Sequence, residues 1–324
     1  MKKYVIFVVA TLWVLTVSLV QAQTLTWTAG GVGGGWYTIA GGISNIINEK
    51  AGGITVKVIP GGGTVNPRLV DKGDCELGWG LPFLNVAAWN GEDPYDKKHS
   101  NLRAIAGGMS LNFFHFYVAA ESPIKTMEEV FKQKKAFRMA ISPTGTSDEW
   151  VFRKVLSSYK TDYKDLDAAG FKFFRGSYAE QASQFKDRNV DSVFTFLALP
   201  GAAITEASIG RSLRLINFSP ETLQSLKQYG IESGKIPAGT YPKAANANED
   251  VTTAIAGSVI LVNKNISDDV TYRIAKAIHE NLDQFHKIHG SLAPYQLKDA
   301  VTGLGLIPLH PGATKYYKEK GIVK

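Results

Sequence analysis

The sequence predicts an α/β protein of two lobes joined by a hinge of crossing strands. Three observations predict it. Short β-rich runs alternate with longer amphipathic runs, two long apolar strand-like runs flank the second set of these units, and glycines cluster where strands give way to helices.

The elements follow in order. Residues 24–28 read as a strand, 37–49 as a helix, 55–59 as a strand, 66–72 as a helix and 76–79 as a strand, a rhythm that builds a sheet with helical crossovers. It resumes with strand 137–141, helix 147–159, strand 171–174, helix 178–187 and strand 192–196. The two sets share an architecture without a residue-level repeat. Between them residues 112–120 form a long strand of Phe, His, Tyr, Val and Ala, and 253–262 form a second. A chain that leaves one lobe, builds another and returns needs two such strands. Helix 269–287 and the stretch 295–324 are then expected to complete the first lobe. Lobe 1 is read as 23–114 with 256–324, and lobe 2 as 115–255, with a cleft between them that closes about the hinge.

Residues 1–22 open with Met1, Lys2 and Lys3, continue as an apolar run and end Val20-Gln21-Ala22. A basic start, an apolar core and small residues at a cleavage site make a signal peptide. The run falls short of the roughly 20 apolar residues that span a bilayer. Cys75 is the sole cysteine, so no internal disulfide forms and the fold rests on its core. The formal charge of +7 includes Lys2 and Lys3, and the remainder is spread along the chain. Its densest run, Lys132 to Lys135, falls at a helix end, where lysines offset the dipole, so nucleic acid is not an expected partner.

Glycine placement carries the most information. Gly30, Gly31, Gly33, Gly34 and Gly35 precede the helix that opens near Trp36 and Tyr37. Gly61, Gly62 and Gly63 precede Thr64, Val65 and Asn66. Pro143, Thr144, Gly145, Thr146 and Ser147 precede a third helix. Such turns leave backbone N–H groups pointing outward at a helix start, where an anion is favoured and glycine admits close approach. Three aimed at one cleft bind a carboxylate. Neither Gly31 nor Gly33 has the glycine spacing of a dinucleotide fingerprint, and no Gly-Lys-Ser or Gly-Lys-Thr closes a phosphate loop. A nucleotide is disfavoured, and no cofactor is expected.

These stretches, Gly34-Gly35-Trp36-Tyr37, Gly62-Gly63-Thr64-Val65-Asn66 and Pro143-Thr144-Gly145-Thr146, stand with Ile236-Pro237-Ala238-Gly239-Thr240-Tyr241-Pro242 and Pro308-Leu309-His310-Pro311-Gly312-Ala313 in a fixed order. Together they resemble the motifs of the TAXI subfamily of solute-binding proteins, which serve tripartite ATP-independent periplasmic (TRAP) transporters. The resemblance runs from about residue 25 to residue 320. It implies a two-lobed type II periplasmic-binding-protein fold, a periplasmic location, no catalysis, ligands such as glutamate or related carboxylates, and TRAP permease subunits as partners. A monomer is the expected state. In place of that subfamily's usual Gln-Ser-Asp stretch this chain has Leu81-Pro82-Phe83. If those residues face the cleft, a less polar acid fits better than glutamate, because an unpaired buried polar group costs about 1–3 kcal/mol.

Trp36, Tyr37, Trp79 and Phe83 lie at strand ends and are candidates for an aromatic pocket wall, against core packing as the alternative. Tyr178 and Thr195 occupy equivalent ends in the second unit. Arg68 and Arg175 could fork a carboxylate, although a helix position and solvent exposure argue against each. His279, His286 and His289 share a helix face that reads as solvated rather than metal-binding, and His115 and His310 read as packing or capping residues. No Gly-x-Ser-x-Gly elbow anchors a hydrolase triad. The sequence therefore points to an extracytoplasmic receptor for a small organic acid or amino acid. A sensor subunit and an exported enzyme are the alternatives.

Overall fold

A computed structural model describes residues 23–31 and 34–324. The signal-peptide reading of 1–22 lies outside the described residues, as does Gly33.

The first lobe begins with β1 (Gln23–Thr28), α1 (Gly35–Lys50), β2 (Ile54–Ile59), α2 (Asn66–Lys72), β3 (Leu77–Gly80) and α3 (Pro82–Asn90). β1 pairs in parallel with both β2 and β3. Ile39, Ala40, Ile43, Ile46 and Ile47 recur at helical spacing and seat α1 on this sheet, beside Leu25 and Trp27. The second lobe holds α4 (Met127–Phe131), β5 (Arg138–Ile141), α5 (Ser147–Ser158), α6 (Tyr163–Ala168), β6 (Lys172–Arg175), α7 (Tyr178–Lys186), β7 (Ser192–Leu197) and α8 (Ala202–Gly210). β5 pairs in parallel with β6 and β7. β8 (Leu213–Leu215), α9 (Pro220–Lys227) and β9 (Glu232–Ile236) follow. The chain then returns to the first lobe through α10 (Asp268–His279), α11 (Leu282–His286) and α12 (Pro311–Glu319).

Two strands tie the halves together. β4 (Leu102–Ala119) and β10 (Val251–Asn263) pair antiparallel at the centre of the order β2-β1-β3-β10-β4-β7-β5-β6. Their ladder breaks register between Ala256 and Ser258 and again on either side of Ile260. Such bulges bend and twist a strand, which lets one strand serve two sheet halves. Ser110, on the β4 side, adopts φ 43°, a left-handed conformation uncommon outside glycine.

The core is continuous across the two halves. Leu81, Phe83 and Leu84 pack with Phe114, Phe116, Trp150 and Phe152. Phe83 stacks on Trp150 with ring centroids 5.5 Å apart, and Trp150 Nε1 donates to Asp93 Oδ2 at 2.9 Å. Arg153 and Lys154, both on α5, approach the same carboxylate at 3.1 and 3.2 Å, and against the opposing pull of burial they hold Asp93 below the usual carboxylate range.

Several expectations need correction. The hinge strand read as 112–120 begins ten residues earlier, since the run from Leu102 keeps pairing with β10 although Ala104, Ala106, Gly107 and Gly108 interrupt its strand signal. Helix 269–287 is two helices, α10 ending at His279 and α11 starting at Leu282. The three histidines are not a solvated face. His279 is buried, with Nδ1 on Ala275 O at 2.7 Å and Nε2 on Tyr295 Oη at 2.9 Å, and burial lowers its pKa to about 4. His286 Nε2 meets Tyr295 O, and His289 caps a 3-10 turn through Ser291. No group of three or more potential metal ligands occurs among the described residues. His115 and His310 pack and cap as read: His115 Nε2 meets Tyr241 Oη at 2.9 Å, and His310 Nδ1 accepts from Gly312 N at the start of α12. No described helix is long and apolar enough to cross a membrane.

Candidate ligand cleft

Between the halves lies a cleft of about 600 Å³. Its near wall comes from the first lobe. There β1 passes into α1 through Gly30, Gly31, Gly34 and Gly35, and β2 passes into α2 through Gly61, Gly62 and Gly63. α1 starts on Gly34 with no side-chain cap and no acid in its first turn, so its end keeps its positive character. Among the described residues the amides of Gly35, Trp36, Gly63 and Thr64 have no hydrogen-bond acceptor. Asn66 holds the second turn in shape. Its Oδ1 accepts from Gly62 N at 2.8 Å and from Thr28 Oγ1 at 2.9 Å, while Nδ2 donates to Ala29 O and Trp79 O.

The far wall is built differently. Thr146 caps α5 by accepting from Glu149 N, and Ser177 and Glu180 form a reciprocal capping box at α7. Asp148 and Glu149 stand in the first turn of α5, both buried. The far wall therefore satisfies its helix ends internally, and Ser142, Ser147, Ser177 and Asp148 bring polar side chains to the cleft. The walls touch. Thr64 Oγ1 donates to Gly145 O, and a side-chain carbon at Gly63 would lie 3.0 Å from Ser147 Cβ.

At the back, Trp36 lines the cleft, stacks on Trp79 at 5.9 Å and donates from Nε1 to Ser258 Oγ at 2.9 Å. Asn112 Nδ2 donates to Ser110 O at 2.6 Å. The hinge strands thus form the floor.

The sequence profile of the NMT1-like family matches residues 27–321, nearly the whole chain. The chain belongs to the NMT1-like family. Solved structures share its fold at low identity. MatC from Rhodopseudomonas palustris with bound malate is 12% identical, with 93% of this chain and 99% of that one covered and a TM-score of 0.54. The periplasmic binding protein BugD is 11% identical, with 92% and 98% covered and a TM-score of 0.53. A binding protein component of an ABC phosphonate transporter from Pseudomonas aeruginosa is 10% identical, with 84% and 80% covered and a TM-score of 0.52. This NMT1-like protein thus has the two-lobed periplasmic-binding-protein fold.

The residues singled out from sequence fall into two groups. Gly34, Gly35, Trp36, Gly63, Thr64, Val65, Gly145, Thr146, Ser147 and Tyr178 line the cleft of this NMT1-like protein. Tyr37, Asn66, Trp79, Phe83, Thr144 and Thr195 do not. Trp79 and Phe83 are fully buried, because the strand-end rule does not distinguish a ring turned toward the cleft from one turned into the core. Trp79 Nε1 donates to Trp36 O and so supports the wall from behind. Thr195 is buried opposite His115 in the β4–β7 ladder, whereas the next residues, Phe196 and Leu197, reach the cleft. Tyr37 packs against the first-lobe core and Thr144 faces solvent. Arg68 donates to Pro94 O and lies over Tyr95, and Arg175 lies over Tyr163, so neither serves the cleft. Leu81 and Phe83 belong to the core and Pro82 opens α3, so the argument for a less polar acid from that stretch lapses.

Sequence reading missed Ser110, Asn112, Ser142 and Asp148 at the cleft. Asp148 was within reach: an acid two residues into a helix after a strand-to-helix turn sits beside the turn's own amides.

Proposed function

We propose that this NMT1-like protein is an extracytoplasmic solute receptor that captures a small carboxylate-bearing molecule and delivers it to a membrane transporter of the TRAP type, as a member of the TAXI subfamily. The observation that carries this reading is the near wall. Four amides without acceptors among the described residues lie at glycine turns on a cleft that no described lysine or arginine lines. Such an anion site recognises a carboxylate through main chain alone. The binding-protein descriptions of structures that share the fold support a receptor, as does a hinge of two bulged strands, with lobe 1 at 23–114 and 256–324 and lobe 2 at 115–255. Periplasmic residence, a cleaved leader at 1–22 and a monomeric state belong to the same reading.

A thermal-shift screen against amino acids, dicarboxylates, 2-oxo acids and monocarboxylates tests it. A ligand at a hundred times its Kd stabilises by about 2.7 kcal/mol, a clear rise in Tm. Mass spectrometry of whatever the unfolded protein releases covers a ligand carried through purification. A stabilising acid recovered unchanged supports the receptor. The absence of both a thermal shift and a released acid contradicts it, and conversion of the bound acid makes the protein an enzyme.

A further inference from the structure

Resting on the receptor reading, we propose that the ligand is a monocarboxylate carrying a protonated nitrogen, and that Asp148 is the residue that receives the nitrogen. Two carboxylates stand side by side at the start of α5, and the protein treats them differently. Glu149 is neutralised at home: Arg153 Nε approaches its Oε1 at 3.4 Å and Tyr163 Oη donates to it at 3.0 Å. Asp148, 2% exposed and on the cleft wall, has no basic side chain within ion-pair distance among the described residues. Its partners are hydroxyls, Ser142 Oγ at 2.8 Å and Ser147 Oγ at 3.2 Å.

Hydroxyls supply hydrogen bonds but no countercharge, and a buried carboxylate without one is costly. Burial accordingly pushes the Asp148 carboxyl up, opposed by those hydroxyls and by Tyr178. A cationic group arriving with the ligand removes the cost. A second carboxylate arriving there adds like-charge repulsion. Ser147 couples the two ends of the site, since it lies against Gly63 on the near wall and donates to Asp148 on the far one. The near wall thus takes the carboxylate and the far wall selects for an ammonium, which disfavours dicarboxylates such as glutarate and malate.

Calorimetry with acids matched in carbon skeleton tests this: leucine against 4-methylpentanoate, 4-aminobutyrate against butyrate and against succinate, and lysine against hexanoate. The wild type is expected to favour the amine member of at least one set tenfold or more. Asp148→Asn is expected to abolish that preference while binding the amine-free acid within threefold of wild type. Wild-type affinity for an amine-free acid or a dicarboxylate equal to that for its amine counterpart overturns the inference and leaves the receptor intact. Equal weakening of all acids by Asp148→Asn overturns it too, making Asp148 a support for the Ser142 turn. Binding of an acid outside these sets with no amine overturns it, and binding of no acid overturns the receptor reading as well. The wild-type comparison decides the matter even where the variant fails to fold.

Discussion

The two walls of the cleft come from the same strand-turn-helix pattern and end with opposite electrostatics. On the near wall α1 begins at Gly34 with no cap and no acid in its first turn. On the far wall α5 and α7 begin at Thr146 and Ser177, each bonded to the backbone amide three residues on, with Asp148, Glu149 and Glu180 in their first turns. A helix end that satisfies itself has little left to offer an anion, and a bare one keeps its donors for the ligand. The glycine-rich turn and the capped turn look alike in sequence, so a model with three equivalent anion grips gives way to one grip and one selecting surface.

The largest expected effect tests the near wall. Gly35→Val leaves room for its first carbon, whose nearest neighbour is His289 Nε2 at 3.8 Å, yet sets a branched side chain beside the bare amides. Affinity for any stabilising acid is expected to fall at least tenfold in calorimetry, with Tm nearly unchanged. Equal affinity would break the asymmetry between the walls. Gly145→Val behaves otherwise. Gly145 has φ +87°, so a branched residue there is strained, and the expected loss of about 1–3 kcal/mol appears in urea unfolding rather than being confined to affinity.

The next effect concerns acid. α1 packs against α10, whose His279 is held at about 4 among Tyr295, Tyr316 and Tyr317. The unfolded chain binds that proton at an ordinary pKa near 6.5, so stability falls as pH drops from about 6.5 to about 4 and levels below it, by at most about 3 kcal/mol from this group. Urea midpoints of wild type and His279→Gln measured across that window check it. The variant should show the shallower slope, and parallel curves would remove His279 from the account. The smallest effect belongs to the far wall. Thr146→Ala removes a cap worth about 1 kcal/mol and should change affinity by less than threefold.

Much of this was legible in the chain. The sequence pattern located β1, α1, β2, α2 and β3 to within two residues, because glycine or proline punctuates their edges and α1 and β2 carry a helical or alternating burial pattern, although β3 is buried throughout. Of the second-lobe helices, α5 and α7 were equally clear, whereas α6, α8 and α9 were not read. What escaped was signalled weakly or not at all. The first ten residues of β4 are broken by Ala104, Ala106, Gly107, Gly108 and Ser110, which weaken the strand signal, and α3 was hidden because Leu81-Pro82-Phe83 reads as an interruption although proline suits a first helical turn. In the site, the glycine turns were found because glycine at a strand end has few other uses. The side-chain lining was found only in part. Trp36, in the first turn of α1, and Trp79, within β3, were read alike and stack on each other, yet one lines the cleft and the other is enclosed. Which face a ring presents depends on the pairing of β3 with β1 and β10, and that pairing is a property of the assembled sheet.

Backbone amide NMR of the isotopically labelled protein, titrated with the acid that gives the largest thermal shift, tests the central claim most directly. The account predicts downfield shifts concentrated at Gly35, Trp36, Gly63 and Thr64, with the amides of Ser147 and Tyr178 moving less. The largest shifts at the starts of α5 and α7, or shifts spread evenly over both walls, would contradict it.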